Sequence, residues 1–321
     1  MSGSRFRVLI TARSFGKTSS APAELLEQNG CQLIRRPGPF KEQELADLTH
    51  DIDGMIVGAD QVSAAVIERA NRLKVICQHG VGVDDIDLSA ARKKGIVVAN
   101  IPGGNADAVA DLTWALMLCL ARDVIRADRA VREGEFPVFV GRSVYGKTLG
   151  IIGLGNVGKA VACRARGFEM PVLAYDAVHD EEYARQWNIE YASLDTVLSN
   201  SDFVTVHLPL IDDTRGLISA DKLRLMKPGS YLVNMSRGGI VDEAALVHLV
   251  QSNRLAGAAT DVFAQEPPAL DNPLLRLPGV ITTPHMGGRT VESLGTISLR
   301  AAKAVLNVLN GSLEDVNVVN A

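Results

Sequence analysis

The chain has 321 residues, 47% of them apolar, with 33 basic against 37 acidic side chains and a formal net charge of -4. That is enough chain for two packed cores. The interleaved charges exclude the one-sided basic field that selects nucleic acid or an anionic membrane, so neither is expected as a partner.

The opening "MSGSRFRVLITARSF" has too short an apolar run for a signal peptide or a membrane span, and a cytoplasmic protein is expected. Over the first hundred residues, "RFRVLIT", "CQLIRR", "DGMIVG", "LKVICQH" and "GIVVAN" read as strands, separated by helical stretches such as "SAPAELLEQNG". This alternation predicts parallel strands joined by crossover helices. At "ANIPGGNADAVADLTWALMLCLARDVIRADRAVREG" the pattern becomes one long apolar-periodic helix, a natural domain boundary. Strand signals then resume at "GKTLGIIGLG" and continue through "PVLAYD", "DFVTVHLPL", "GSYLVNMSRG", "LAGAATDVF" and "GVITTPH". The final helical stretch, "SLGTISLRAAKAVLNVLNG", follows the last strand with no sheet partner of its own and is expected to return to the first domain. The expected organisation is a first domain over 1–100, completed by a C-terminal segment 290–321, and a second over 101–289, with a cleft between them. Cys31, Cys77, Cys119 and Cys163 lack metal spacing and read as small buried hydrophobes, so no metal and no disulfide are expected.

The stretch "GIIGLGNVGKAVACRARGFEMPVLAYD" places Gly153, Gly155 and Gly158 between an apolar strand and a helix, with Asp176 ending the next strand. Gly153 permits the turn, Gly155 lets backbone approach a pyrophosphate, and Gly158 lets the helix pack on the strand. Asn156 and Val157 supply amides at the helix N-terminus. Asp176 can accept the adenosine ribose hydroxyls and repel a 2′-phosphate, which predicts NAD in preference to NADP. The fold class is α/β, with two Rossmann- or flavodoxin-like parallel-sheet domains.

Three further motifs lie just past apolar strands: "VNMSRGGIVDEAAL" around Arg237, "GAATDVFAQEPP" around Glu266 and "ITTPHMGGRT" around His285. Their order, with "HGVGVDDIDLSAARKKGIVVANIPGG" before the long helix, resembles the D-isomer-specific 2-hydroxyacid dehydrogenases, nearest to the phosphoglycerate dehydrogenase type. The likeness covers nearly the whole chain. It implies hydride transfer between NAD and C2 of a 2-hydroxy acid, with Arg237, Glu266 and His285 catalytic. The chemistry agrees: imidazole can take the hydroxyl proton near neutral pH. A paired Glu266 would hold the ring and favour the imidazolium. Arg237 can grip a carboxylate with two parallel hydrogen bonds.

The same resemblance places cofactor contacts at Leu208, Pro209, Thr214, Met235, Ser236, Asp261, Gly287 and Gly288. It puts Val81 and Gly82 at the substrate, where the glycines flanking Val81 leave amides free for a carboxylate. Phosphoglycerate-oxidising members carry arginines where this chain has Gly58, Gln78 and the run Phe136–Val140, with only Arg142 nearby. A phosphate without those cations would be costly to desolvate. The expected substrate is therefore an acid with an uncharged tail, glycerate- or hydroxypyruvate-like, met by Gln78 and His79. The sequence ends at "GSLEDVNVVNA", and the regulatory domain of longer phosphoglycerate dehydrogenases is not expected.

Two alternatives share the scaffold. One is an NAD-responsive, non-enzymatic binding protein of corepressor type. The other is formate- or phosphite-type oxidation, which Glu266 disfavours because formate-oxidising relatives carry an amide there. The long helix is apolar on more than one side at Trp114, Met117 and Leu118, and a homodimer packed through it is expected.

Overall fold

A computed structural model describes residues 5–321. The chain divides into two compact units, Met1–Asn105 together with Arg289–Ala321, and Ala106–Gly288. The first opens with β1 (Phe6–Ile10), α1 (Ala21–Gln28), β2 (Cys31–Arg35), α2 (Glu42–Thr49), β3 (Gly54–Val57), α3 (Ala64–Arg69), β4 (Val75–Gln78), α4 (Leu88–Lys93) and β5 (Val97–Asn100). The second contains α5 (Ala106–Arg122), α6 (Val124–Arg132), β6 (Leu149–Ile152), α7 (Asn156–Ala165), β7 (Val172–Tyr175), α8 (Glu181–Trp187), β8 (Ile189–Tyr191), α9 (Leu194–Asn200), β9 (Phe203–Val206), α10 (Ala220–Leu225), β10 (Tyr231–Asn234), α11 (Glu243–Gln251), β11 (Gly257–Thr260) and β12 (Val280–Thr282). The chain then returns to the first unit with α12 (Val291–Leu309) and β13 (Asn317–Val318).

The first sheet runs β2-β1-β3-β4-β5-β13, parallel except for β13. Its strands read as nearly continuous apolar runs because both faces are covered. Val8, Ile10, Ile56 and Cys77 pack with Leu26 of α1 and Val305 of α12, whereas Leu9, Met55, Ile76 and Val98 pack with Leu45 of α2 and Val66 of α3. Strand order reverses between β1 and β3.

The second sheet runs β8-β7-β6-β9-β10-β11-β12, and all its pairs are parallel. Ile151, Val233 and Ala259 face Trp114 and Met117 of α5 and Val161 of α7. On the other face Ile152, Val204 and Leu232 meet Val197 of α9, Leu223 of α10 and Leu246 of α11. Order reverses between β6 and β9, and such a switch point is where an open α/β sheet holds its ligand.

Three features differ from the sequence reading. The long helix is two helices, broken at Asp123, whose φ of +54° is left-handed. Aspartate tolerates that conformation through its short polar side chain, and here its carboxylate accepts from Arg126 Nη1 at 2.8 Å. Trp114 and Met117 are 5% and 0% exposed and belong to the unit's own core, Trp114 stacking on Phe168 at 4.7 Å, so neither is available to a partner. β8 and β13 went unforeseen because three- and two-residue strands show no periodicity. The C-terminal segment is held instead by Asn320, whose Oδ1 accepts from Val98 N and whose Nδ2 donates to Ile96 O.

All four cysteines are free thiols, with Cys31 and Cys77 buried and Cys119 and Cys163 half-buried. Among the described residues no helix is long and apolar enough to cross a membrane, and no group of three or more His, Cys, Asp or Glu could hold a metal ion.

Candidate active site

The glycine turn follows β6, at the switch point of the second sheet. Gly153 has φ +98°, and a Cβ there would lie 2.8 Å from the backbone of His207, so the turn and the β9 loop touch. A Cβ on Gly158 would lie 2.0 Å from Gly153 O, which makes glycine obligatory where α7 crosses the strand. Around Gly155 there is open space, and no side chain caps α7. Bare backbone and the positive end of a helix dipole therefore meet at one place, as a pyrophosphate requires. Asp176 Oδ2 accepts from Leu154 N at 2.6 Å and Oδ1 from Val178 N at 2.9 Å. This carboxylate thus shapes the glycine turn, a role its sequence position does not reveal. Both ring nitrogens of His207 are buried without a protein partner among the described residues, and burial pushes the ring down to about 3.

Arg237, Glu266 and His285 come together beyond β10, β11 and β12. Gly238 explains how: a Cβ there would fall 1.9 Å from Phe263 O, so only glycine lets the Arg237 loop lie against the loop that carries Glu266. Phe263 N donates to Glu266 Oε1 at 3.1 Å, and His285 Nδ1 lies 2.7 Å from Glu266 Oε2. Burial alone pushes the Glu266 carboxyl up, yet the His285 hydrogen bond and charge, the Phe263 N–H and the Arg237 guanidinium together hold it below its usual value. Glu266 is therefore an ionised acceptor. Nδ1 is the donor in that bond, which makes Nε2 the acceptor nitrogen of the neutral ring.

Residues that sequence reasoning passed over, or assigned another role, hold this arrangement. His285 has φ +47°, a strained conformation for a non-glycine residue. Its N–H donates to Asp261 O at 2.9 Å, and the Asp261 carboxylate accepts from Thr283 Oγ1 (2.6 Å), Met286 N (2.8 Å) and Gly287 N (2.7 Å). Asp261 thus fixes the whole His285 loop. Asn234 Oδ1 accepts from Ser236 N and Oγ at 3.1 and 2.5 Å, ordering the turn into Arg237. The one available signal was an apolar strand ending in asparagine. The Thr214 hydroxyl donates to Pro209 O at 2.6 Å and accepts from Ile211 N at 2.9 Å, so it closes the 209–214 loop. Met235 and Ser236 are buried, Leu208 and Gly288 half-buried, and Pro209 and Asn156 exposed.

In the first unit, Val81 is 39% exposed, and its carbonyl accepts from Asn100 Nδ2 at 2.6 Å, again an asparagine closing an apolar strand. Gln78 Nε2 donates to Gly58 O at 3.0 Å. His79 differs from expectation. Its ring is 9% exposed, lies on the α12 side of the sheet and meets Ser14 and Ser298, so it is not presented to solvent.

Burial pushes the His79 ring down to about 4. The unfolded chain therefore binds the extra proton between pH 6.5 and 4 while the folded chain does not. The contribution is complete above about pH 6.5 and is lost as pH falls toward 4. Acidification from pH 7 to 4.5 is expected to cost roughly 2–3 kcal/mol at this ring. Denaturant unfolding of His79→Gln and the parent chain at both pH values checks this, since the parent should lose more by that amount.

A glycine turn at the switch point of a seven-stranded parallel sheet, a carboxylate ending the next strand and a histidine–carboxylate pair define a dinucleotide-binding α/β protein with acid–base capacity. Residues 114–287 match the model of the D-isomer specific 2-hydroxyacid dehydrogenase, NAD binding domain. D-3-phosphoglycerate dehydrogenase of Archaeoglobus fulgidus is 41% identical over 91% of this chain and 56% of its own length, and glyoxylate reductase of Korarchaeum cryptofilum is 38% identical over 90% and 89%. The chain thus spans little more than half of the phosphoglycerate dehydrogenase. The solved structure of D-lactate dehydrogenase from Aquifex aeolicus, complexed with NAD and lactic acid, superposes with a TM-score of 0.86 at 30% identity, covering 98% of this chain and 99% of that one. The chain belongs to the D-isomer specific 2-hydroxyacid dehydrogenase family, and residues 114–287 are its NAD-binding domain.

Proposed function

We propose that the chain transfers a hydride between NAD and C2 of a small D-2-hydroxy acid, interconverting it with the 2-keto acid. The observation that carries this reading is the 2.7 Å His285–Glu266 pair with the Arg237 charge acting on the same carboxylate. When bound, the nicotinamide accepts the hydride from C2 or returns it. His285 Nε2 takes the hydroxyl proton during oxidation, and ionised Glu266 stabilises the resulting imidazolium. In reduction the ring gives the proton back to the C2 oxygen. Arg237 binds the acid's carboxylate. NADH absorbance followed with a panel of 2-keto acids tests the reading. Turnover of at least one is expected, and none at all would favour a non-enzymatic NAD-responsive protein.

An uncharged tail is part of this reading. Gly58 has no side chain and the Gln78 amide is committed to Gly58 O, so neither supplies a cation for a phosphate. In the oxidation direction, with NAD as hydride acceptor, glycerate or lactate-like acids should outperform 3-phosphoglycerate. Free thiols throughout suit a reducing compartment such as the cytoplasm.

NAD selectivity is assigned to Asp176. Replacing it by alanine is expected to reduce the preference for NAD over NADP at least tenfold and to weaken NADH binding, because Leu154 N loses its acceptor. Fluorescence titration with NADH and NADPH measures both. An unchanged ratio would remove Asp176 from this role.

The homodimer belongs here as well, through a surface other than Trp114 and Met117. Phe136, Val138 and Val140, in the segment after α6, are each 92% exposed, Val124, Ile125 and Val131 of α6 are exposed too, and Arg126 of α6 lies over the Phe139 ring at 5.7 Å. A second copy would bury this apolar set. Sedimentation should give about twice the 34.3 kDa chain mass, and Phe136→Asp with Val138→Asp should give the monomer.

A further inference from the structure

We propose that Ser14, oriented by the ring of His79, recognises the substrate's tail and selects 2-keto acids that carry an oxygen on C3, an assignment that rests on the function proposed above. In the first sheet the strand order β2-β1-β3 puts the switch point at the C-terminal ends of β1 and β3, where an open α/β sheet binds its ligand. Ser14 stands in the loop leaving β1. Gly58, leaving β3, contributes no side chain, and a Cβ there would lie 3.2 Å from Ala12 Cα. The edge between the two strands is therefore walled by backbone, and Ser14 is the nearest hydroxyl past Ala12 in the β1 loop.

His79 leaves β4 immediately before Gly80, Val81 and Gly82, and its ring ties three segments together. Ser298 Oγ on α12 accepts from Gly16 N at 3.4 Å and lies 2.8 Å from His79 Nε2. Ser14 Oγ lies 3.2 Å from His79 Nδ1, and because a neutral ring carries a single proton, one ring nitrogen donates to its serine and the other accepts. The desolvation that lowers this ring keeps it neutral at physiological pH. Phe15 closes the far side, edge-on at 5.9 Å, and Arg13 Nε donates to Gly38 O, so the loop is held on both sides of Ser14.

Ser14 thus makes one hydrogen bond to the inside of the fold and keeps capacity for another, since a hydroxyl has one O–H and two acceptor lone pairs. The group that completes it is a polar oxygen, such as a C3 hydroxyl, which can donate or accept, in the first unit and next to the loop assigned to the acid's carboxylate. Pyruvate lacks that oxygen and hydroxypyruvate has it.

Steady-state reduction of both keto acids with NADH tests the assignment in the full chain. Ser14→Ala is expected to lose roughly tenfold more kcat/KM with hydroxypyruvate than with pyruvate, mainly through KM. Ser14→Thr, which keeps the hydroxyl, should restore the parental ratio. Equal losses on the two substrates, or none, would overturn the role of Ser14 alone. Turnover of neither by the parent chain, with NADH binding intact by fluorescence, would overturn the functional reading and this assignment with it.

Discussion

Replacing His285 by asparagine should lower kcat about a thousandfold in either direction while leaving NADH affinity nearly unchanged. The size follows from what a positioned acid–base group supplies, about 10²–10⁴ in rate. The confinement to kcat follows from position. His285 Nδ1 is committed to Glu266, its backbone is anchored by Asp261 O, and the glycine turn that suits the pyrophosphate lies at the end of a different strand. Asparagine also tolerates the left-handed φ of +47°, so the loop should keep its course. Steady-state kinetics beside an NADH fluorescence titration separate the two effects. A variant that kept more than a tenth of the parental kcat would show that another group carries the proton.

Arg237 gives the second large effect. Its Nη1 donates to Ser236 O at 2.9 Å, which holds the guanidinium near the buried turn organised by Asn234. Arg237→Gln removes a charge-assisted partner of the substrate carboxylate, and a rise in KM of about a hundredfold is expected. Lysine should recover only part of it, because an ammonium cannot form two parallel bonds to a carboxylate. The same change withdraws a cation that helps keep Glu266 ionised, so kcat should fall too. KM values for one keto acid across Arg237→Gln, Arg237→Lys and the parent decide the point. Equal KM in all three would move carboxylate binding to another residue.

Much of the candidate site was legible because its signals are local. The spacing of Gly153, Gly155 and Gly158 between an apolar strand and a helix specifies a turn whose geometry depends on those few residues. The three catalytic candidates each follow an apolar strand, so they had to emerge at the same edge of a parallel sheet. Their mutual approach was not legible, since it rests on Gly238 lying against Phe263, a contact set by the packing of two loops. Asp261 shows a similar limit. It was expected among the cofactor contacts, and only the structure shows its carboxylate accepting from three donors of the His285 loop. Trp114 was misjudged for a related reason: an apolar helix face does not disclose whether its own chain or a second copy will cover it.

The sequence by itself determined the alternation of strands and helices, the dinucleotide turn and the residue types available for proton transfer and carboxylate binding. Those properties depend on neighbours a few positions apart. Only the tertiary structure decided that Asp123 breaks the long helix, that His79 is a buried link between Ser14 and Ser298, and that Asp176 shapes the glycine turn. Each of these depends on which distant groups exclude water from a side chain or offer it a hydrogen bond, and that is fixed when the sheets and helices pack.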